Sequence, residues 1–511
     1  MAKETYGHCF YGVDYSVPPH EILNTVLADA QNILPTHSGL PKSRGGSVKY
    51  NNVALGSGAR ITSFFEFKSG TSRESLVSYS TKIGLYSSST GEFSDIITGL
   101  TDDQLMQWVN FAGKAIGVNG GSDPPQYFTS SSLCGALAGN PPNGRSITEW
   151  SNRVWYGGDS TNVATLTGSG LNDPTDYASA GATGYVSQII GDSKDPITGL
   201  YPYFDLLLVG KQNNIYKVSG DPPTDADSLE IKPLYTGSDN VGFTSPWAIT
   251  QIGNDIIFLD GYDIRLLTGI QEYGDLEHRS IIPHFRDFLR DTVDRDYLQY
   301  TQFFHYKKEQ QIWITIPTGA NTHYVFVLDY KFKQESNRFA FYPLGGLNAV
   351  CFGGRSSGEV TDIYYGDESG FVHALDIGDN DNGSAIESYF VTVVSGNQTR
   401  ENIVDKHEIR KQFQYTDTYI KPGSDSLTMT PYYAIDLLDD SQIRDSDNYT
   451  ALDSEVVSSW NGTGTKQKKI RFFGLSGKTL ALKWYHNTRA QSYTFYPSII
   501  DYQWKSRTTI S

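Results

Sequence analysis

Cysteine and long apolar runs are scarce in this chain. Its three cysteines, Cys9, Cys134 and Cys351, are odd in number and far apart among 511 residues. This spacing argues against a disulfide framework and favours synthesis in a reducing compartment. The N-terminus lacks the apolar core of a secretory signal, and no run approaches the roughly 18 apolar residues of a membrane span. We therefore expect a soluble protein that is made in the cytoplasm and has no membrane span.

Positive charge is also in deficit. The chain has 41 Lys and Arg against 57 Asp and Glu, a formal net charge of −16. A protein that grips nucleic acid neutralises phosphates with a basic surplus, and this chain has none. Two interpretations stay open: an acidic wall that repels phosphate and lets DNA slide past, or ordinary acidic solubility.

The sequence contains no familiar catalytic or ligand-binding motif. Metalloprotease HExxH, CxxC, GxSxG, Walker A and dinucleotide-binding patterns are all missing, and the ten histidines are dispersed. His305 lies between aromatic residues on a predicted strand, which is typical of packing. Asp260 and Asp367 each end a predicted strand, where turn formation is favoured over a catalytic place at a funnel mouth. We predict no catalytic, cofactor-binding or metal-binding residue, and no enzyme.

Two charged segments have a functional and a structural interpretation. The stretch GDNDNGS carries Asp379 and Asp381 two apart, like a calcium loop, but lacks the spacing and the closing Glu of an EF-hand. A polar linker is therefore favoured. The stretch KQKK, Lys466–Lys469, precedes an apolar strand without interleaved aromatic residues. It indicates a solvated strand entry or an interface charge more than a DNA site.

Aromatic residues and glycine, in contrast, are abundant. Aromatics make up 13% of the chain, and there are 50 glycines. Together with a charged fraction of only 19%, this composition excludes disorder and predicts strands joined by tight turns. The fold class is therefore predicted to be all-β.

A three-strand unit recurs seven times. Its first strands begin near Ile61, Trp108, Ser146, Tyr185, Trp247, Gln302 and Asn348. Its central strands begin near Leu76, Ala115, Arg153, Leu206, Asp255, Ile312 and Thr361. The spacing of roughly 40 to 57 residues suits β-propeller blades of three or four strands. We predict about seven blades, or six if the first copy belongs elsewhere; an array of β-sandwiches is the alternative fold.

The remaining patterns define the flanking regions. Apolar spacing predicts a short N-terminal helix over residues 20–34, and a second helix from Ser280 as an insertion between the fifth and sixth copies. About six alternating strands after the GDNDNGS linker predict a C-terminal β-sandwich-like domain. The predicted domains are an N-terminal segment (1–58), a β-propeller (59–378) and the C-terminal domain (379–511).

Several segments resemble bacteriophage tail proteins. NILPTHSGLPKSRGGS, from Asn32 to Ser47, is similar to the openings of tail nozzle and packaged-DNA stabilisation proteins, although Ser43 interrupts the pattern and Gly45 replaces a proline. WAITQIGNDIIFLDGYDIRLLTG followed by SIIPHFRDFL, and later IYYGDESGFVHALD, resemble the P22-like tail hub proteins of podovirus-type phages. The closing strands, GKTLALKWYHNTRAQSYTFYPSIIDYQWKSR, resemble the end of the same proteins.

The resemblance implies a structural role in the virion tail. Such a subunit forms a homo-oligomer, a hexameric ring below the portal and the head-to-tail adaptor protein, and also meets tail fibre, spike or needle proteins. It retains packaged viral DNA and conducts it during ejection without sequence-specific binding, and it assembles in the host cytoplasm. We expect the C-terminal domain or the N-terminal segment to contact the adaptor. The alternatives are a tail-associated propeller glycan hydrolase or lyase, and a cytoplasmic scaffold of the WD40 kind.

Overall fold

β-Strands are the dominant regular structure of the chain. The computed structural model describes residues 2–179, 181, 183–220, 229–234, 240–269, 276–333, 338–358, 360–395, 409–452 and 459–505. The predicted all-β class is confirmed, since 51% of the structure is strand and 7% is helix. No helix in these ranges is long and apolar enough to cross a bilayer.

Five short strands occupy the N-terminal segment. They are β1 (Ala2–Tyr6), β2 (Asp29–Gln31), β3 (Ile33–Pro35), β4 (Pro41–Ser43) and β5 (Ser47–Lys49). The predicted helix over residues 20–34 is wrong: a 3₁₀ turn, Pro19–Glu21, is the helical part of this region. The chain there pairs through β2 with a distant strand, and this tertiary pairing outweighs the helical spacing of its apolar residues.

Seven four-stranded antiparallel sheets follow. Sheet 1 contains β6 (Ile61–Ser69), β7 (Ser72–Tyr79), β8 (Lys82–Ser87) and β9 (Glu92–Thr98). Sheet 2 contains β10 (Gln107–Phe111), β11 (Lys114–Val118), β12 (Gln126–Ser130) and β13 (Leu133–Ala136). Sheet 3 contains β14 (Ser146–Trp150), β15 (Arg153–Gly157), β16 (Thr165–Gly168) and β17 (Val186–Ile189). Sheet 4 contains β18 (Ile197–Tyr203), β19 (Leu206–Lys211), β20 (Ile215–Ser219) and β21 (Glu230–Pro233).

The next three sheets complete the series. Sheet 5 contains β22 (Ile249–Ile252), β23 (Asp255–Asp260), β24 (Asp263–Gly269) and β25 (Leu276–Ser280). Sheet 6 contains β26 (Gln302–Tyr306), β27 (Gln311–Pro317), β28 (His323–Asp329) and β29 (Ala340–Leu344). Sheet 7 contains β30 (Ala349–Ser357), β31 (Val360–Asp367) and β32 (Val372–Leu375), and N-terminal β5 is its fourth strand, with Ala374 opposite Val48.

The predicted strands of the repeat are largely confirmed, with one misassignment. The strand near Tyr185 was predicted to open the fourth unit, but Val186–Ile189 pairs with Thr165–Gly168 as the outer strand of sheet 3. The fourth sheet begins instead with Ile197–Tyr203. Alternation of apolar and polar residues marks a strand without telling an inner from an outer position, which explains the error.

The sheets contact one another in a cycle, mostly through their first strands, and sheets 4 and 5 meet through a shared apolar cluster. Phe67 of sheet 1 meets Phe128 of sheet 2 edge-to-face, with ring centroids 5.2 Å apart. Thr315 of sheet 6 donates a hydrogen bond of 2.5 Å to the carbonyl of Ala349 in sheet 7. Phe64 stacks on Tyr364 at 5.0 Å and so joins sheet 7 to sheet 1. The arrangement is propeller-like, with each sheet burying both faces against its neighbours.

Few helical elements interrupt the strands. The helix predicted after Ser280 is confirmed between sheets 5 and 6, although it begins six residues later, as α1 (Arg286–Thr292). A second helix, α2 (Asp440–Arg444), lies near the C-terminus. Further 3₁₀ turns are found at Leu55–Ser57, Arg295–Tyr300, Lys307–Glu309 and Ser446–Asn448.

Two larger sheets hold the C-terminal strands. The strands are β33 (Ser388–Val394), β34 (Lys411–Pro422), β35 (Thr430–Ile435), β36 (Thr450–Ala451), β37 (Lys466–Arg471), β38 (Ser476–Gly477), β39 (Leu480–His486) and β40 (Tyr493–Trp504). Sheet 8 has the order β3-β4-β40-β34-β37, with β1 on β40 and β38 on β34. Sheet 9 has the order β2-β33-β39-β35-β36. Strands β1, β3 and β4 are therefore part of sheet 8, and β2 is part of sheet 9.

Aromatic side chains fill the space between sheets 8 and 9. Phe495 of sheet 8 lies 4.9 Å from Phe390 and 5.1 Å from Trp484 of sheet 9, measured between ring centroids. All three rings are fully buried. The two sheets thus share an apolar interior, which also extends to sheet 6 because β2 and β3 pack against its outer strand β29.

Candidate functional site

Side chains bridge the axis of the seven-sheet ring where the inner strands begin. Gln107 of sheet 2 donates to the carbonyl of Pro246 at 3.2 Å, just ahead of sheet 5. Trp247 donates its indole N–H to the carbonyl of Met106 at 3.2 Å. Sheets 2 and 5 lie on opposite sides of a seven-membered ring. These bonds therefore cross the ring at the end where its first strands begin, which we call the entry face.

A cavity of about 500 Å³ opens on the entry face between sheets 3 and 6. Asp260 lines it, forms an ion pair with Arg265 at 2.7 Å and accepts from the backbone N–H of Gly242 at 3.2 Å. Burial raises the pKa of the Asp260 carboxyl. Across the cavity, Arg145 donates to the side chain of Gln299 at 2.9 Å. Asp260 thus anchors a loop and an arginine in addition to ending its strand.

A second entry-face opening is an acidic cleft of about 370 Å³. Arg60 stands in it between two carboxylates, 3.4 Å from Asp103 and 3.5 Å from Glu368. Asp102 also lines the cleft. Burial raises the pKa of Glu368, although Arg60 partly opposes this shift. A carboxyl whose pKa is raised by burial is one of the groups that acid–base chemistry uses.

Asp367 closes a turn, as its place at a strand end predicts, and His305 is partly buried. The Asp367 carboxylate accepts from the backbone N–H groups of Ser369 and Phe371, both at 2.8 Å, and so closes the β31–β32 turn. Burial opposes its ionisation, but these bonds and His373 hold its pKa below the usual value. His305 bonds its ring Nε2 to the Tyr330 hydroxyl at 2.7 Å, and burial lowers the pKa of His305 to about 4.

A buried arginine joins the N-terminal segment to the linker. Arg44 is 2% exposed, and its guanidinium forms a forked ion pair with both carboxylate oxygens of Asp381. Its Nε donates to the side-chain oxygen of Asn32 at 2.7 Å. Ser47 also donates to Asp381 at 2.9 Å. Asp381, which belongs to the segment that resembles a calcium loop in sequence, is thus paired with an arginine. No group of three metal-ligating side chains was found in the described ranges.

This arginine junction was missed by motif analysis. The resemblance of Asn32–Ser47 to tail proteins indicated that the segment matters, but it gave no partner for Arg44. Gly46 lies so close to the linker that an added Cβ would stand 2.1 Å from the carbonyl oxygen of Asn380. Asn32 adopts a positive φ of 57° between β2 and β3. Glycine at position 46 and asparagine at position 32 are residue types that tolerate close backbone contact and a positive φ. They are the sequence signals that could have indicated a tight junction.

Strand β37 carries the KQKK segment along the end of sheet 8. No described strand pairs with its outer side. Lys469 lies over the ring of Tyr415, with Nζ 3.7 Å from the centroid, and Lys468 lies 4.8 Å from that of Trp460. Phe473, just beyond the strand, is 89% exposed. The tertiary fold thus supplies aromatic residues, Tyr415 from β34 and Trp460 from a loop, that the linear sequence did not show beside these lysines.

Comparisons with known proteins identify no family. No family model and no curated protein matches the chain. Among solved structures, the extracellular domain of B. thetaiotaomicron BT4673, described as belonging to a one component system, has 9% identity and a TM-score of 0.40 and covers 72% of this chain. The chain spans 43% of that domain's length. A chain of the mitotic checkpoint complex has 10% identity and a TM-score of 0.42, over 65% of this chain and 92% of its own. Such low scores support no inference.

Proposed function

We propose that this protein is a structural subunit of a bacteriophage tail nozzle or hub. In this proposal, sheets 1 to 7 are the blades of a seven-bladed β-propeller, and sheets 8 and 9 form a β-sandwich. Six copies form a ring below the portal and the adaptor, meet tail fibre, spike or needle proteins, and retain and conduct DNA within the virion. The support comes from the sequence resemblance and from the distribution of charge. The proposal includes no catalytic step.

The observation that carries the proposal is the segregation of charge along the chain. Residues 1–378 hold 41 acidic and 26 basic residues, whereas residues 459–505 hold eight basic residues and one acidic residue. Three of these lysines lie on the unpaired β37 edge. A basic edge and an acidic body on one chain are complementary, so identical copies can associate head to tail and close into a ring.

The acidic surplus also suits a wall beside DNA. A surface of the same sign as phosphate leaves DNA unbound and free to slide. Gln107 and Trp247 bridge the axis of the seven sheets. In the proposed ring, DNA therefore passes along the common axis of the six copies and not through the centre of each propeller.

Light scattering of the purified chain tests the assembly. We expect a hexamer, alone or after mixing with adaptor candidates encoded by neighbouring genes, that dissociates in high salt. The triple variant Lys466→Glu, Lys468→Glu and Lys469→Glu should be folded but monomeric. The control variant Lys194→Glu, Lys232→Glu and Lys308→Glu makes the same charge change at exposed lysines of the body and should still form the ring. A wild-type monomer that ignores every adaptor candidate would refute the proposal.

The acidic cleft favours one second function, glycan cleavage by a tail-associated hydrolase or lyase. Asp103 and Glu368 flank Arg60 there, and the raised pKa of Glu368 suits a general acid. A screen of bacterial surface glycans for cleavage tests this function. Activity that Glu368→Gln abolishes and Lys82→Gln preserves would establish it. Without cleavage of any glycan, the structural role stands alone.

A further inference from the structure

Two threonines at equivalent places in the fold differ in their hydrogen bonding. Thr62 in β6 and Thr198 in β18 are each the second residue of a first strand, and each lies in a β-bulge. The Thr62 hydroxyl forms a hydrogen bond of 2.8 Å with the hydroxyl of Ser78. Sheet 4 has Gly210 at the position of Ser78, and glycine has no side chain. Thr198 therefore lacks the partner that Thr62 has.

The Thr198 hydroxyl is buried without a hydrogen-bond partner. The residue is 7% exposed, and its Oγ1 forms no hydrogen bond with any residue that the structure describes. Thr198 lines the entry-face cavity of about 500 Å³, which we call the threonine cavity because Thr244 lines it as well. Buried polar atoms are seldom left unsatisfied, and β-bulges often aim a side chain into a site. A ligand in this cavity can supply the missing bond.

The polar groups of the cavity wall both donate and accept hydrogen bonds. Gln212 and Asn213, which are exposed in the turn between β19 and β20, each contribute a primary amide. Thr244 contributes a second hydroxyl, which accepts from the backbone N–H of Gly261 at 2.6 Å and keeps its own proton to donate. Amides and hydroxyls each offer a donor and an acceptor. The matching ligand therefore carries groups that donate and accept as well.

The charges of the wall indicate a neutral ligand. Two arginines, Arg145 and Arg295, and two aspartates, Asp260 and Asp296, line the cavity. Neither sign is in excess, and a charged ligand held in such a cavity loses hydration without a matching counter-charge. The cavity is also of the size that small-molecule sites have.

We propose that the threonine cavity binds a neutral polyhydroxylated ligand, one hydroxyl of which bonds to Oγ1 of Thr198. Such hydroxyls donate and accept at one atom, as the amides and hydroxyls of the wall require. A free polyol and a sugar unit of a glycan both present this chemistry. The threonine cavity shares no lining residue with the acidic cleft and binds its ligand without cleaving it. The site is therefore independent of the functions proposed above.

Saturation-transfer difference NMR on the full chain tests the site. The probes are myo-inositol for a free polyol, and the methyl α-glycosides of glucose, galactose and mannose for a sugar unit of a glycan. We expect saturable binding of at least one probe, and Thr198→Val to weaken this binding about tenfold, the loss of one hydrogen bond. Because the hydroxyl bonds to no described residue, Thr198→Val should keep the wild-type midpoint in urea unfolding.

Two further comparisons separate binding from folding. Thr62→Val makes the same change where the hydroxyl has a partner, so it should lower the urea midpoint and bind the probe like the wild type. Asn213→Ala removes an exposed amide of the cavity and should weaken binding. Asn214→Ala changes the adjacent exposed residue, which does not line the cavity, and should leave binding unchanged.

Each result decides for or against the site. Tighter binding of inositol that Thr198→Val weakens assigns a free polyol, and the same pattern with a glycoside assigns a sugar unit of a glycan. If Thr198→Val fails to fold, Asn213→Ala decides, because its side chain is exposed. The proposal is overturned if no probe binds, or if the folded cavity variants bind like the wild type. Tighter binding of glucose 6-phosphate than of every neutral probe also overturns it.

Discussion

Sheets 1 to 6 and sheets 8 and 9 are built in opposite ways from similar strands. Each of the first six sheets is a continuous run of four strands, whereas sheets 8 and 9 join the two ends of the chain, as in the pairing of Ala2 with Tyr502. Sheet 7 combines both patterns, because β5 completes it. Forming a sheet from consecutive strands closes only short loops. Forming sheets 8 and 9 brings together residues that are separated by nearly the whole chain. The N-terminal segment is therefore what couples the two regions.

Core truncation is expected to show the difference most strongly. Phe495→Ala removes the ring between sheets 8 and 9 and should lower the free energy of unfolding by about 4 kcal/mol. In hydrogen exchange, β1 to β4 and β33 to β40 should lose protection while sheets 2 to 4 keep it. Trp155→Ala, in the fully buried core of sheet 3, should give the reverse pattern at similar cost. If both variants lose protection uniformly, the chain is one cooperative unit and the contrast fails.

The same contrast decides what the sequence could predict. The strands of sheets 1 to 6 can be recognised from alternating residues and turn residues within about 50 positions, so the sequence revealed the repeat. The sequence did not reveal the role of β1 to β5, because strands that pair with partners hundreds of residues away leave no local periodicity. The predicted helix over residues 20–34 failed for this reason.

The candidate sites follow the same division. Turn formation by Asp367 was predicted because its partners, Ser369 and Phe371, are local. The pairing of Arg44 with Asp381 depends on segments brought together only by the tertiary fold, and no spacing rule describes it. The aromatic residues beside Lys468 and Lys469 were missed because one lies on another strand and the other in a loop.

Breaking the arginine junction should have the next largest effect. Arg44→Ala leaves Asp381 and Asn32 without their shared partner, and we expect a loss of about 3 kcal/mol in urea unfolding. Arg44→Lys keeps the charge without the forked geometry and should lose less. Arg73→Ala changes an exposed arginine of sheet 1 and should cost less than about 0.5 kcal/mol. Equal stability of Arg44→Ala and wild type would show that the junction contributes nothing to coupling.

The closure between sheets 7 and 1 should tolerate little added volume. A Cβ on Gly353 would stand 2.3 Å from the backbone oxygen of Phe64, so Gly353→Ala forces the two sheets apart. We expect a loss of about 2 kcal/mol in urea unfolding. Ser357→Ala, at the exposed end of the same strand, is the matched control and should unfold like the wild type. A stable Gly353→Ala protein would mean that the ring closes less tightly than these contacts indicate.

Acid should weaken sheet 6 slightly through His305. Burial holds the folded pKa near 4, below the unfolded value of about 6.5. Between these values the unfolded chain binds the extra proton, so the stability contribution is complete above pH 6.5 and is lost as the pH falls toward 4. Because the ring is only partly buried, we expect less than about 1 kcal/mol between pH 7.5 and pH 5. His305→Gln should remove this part of the acid sensitivity in urea unfolding, and the exposed His37→Gln should not. Identical pH dependence of His305→Gln and wild type would place the acid sensitivity elsewhere in the chain.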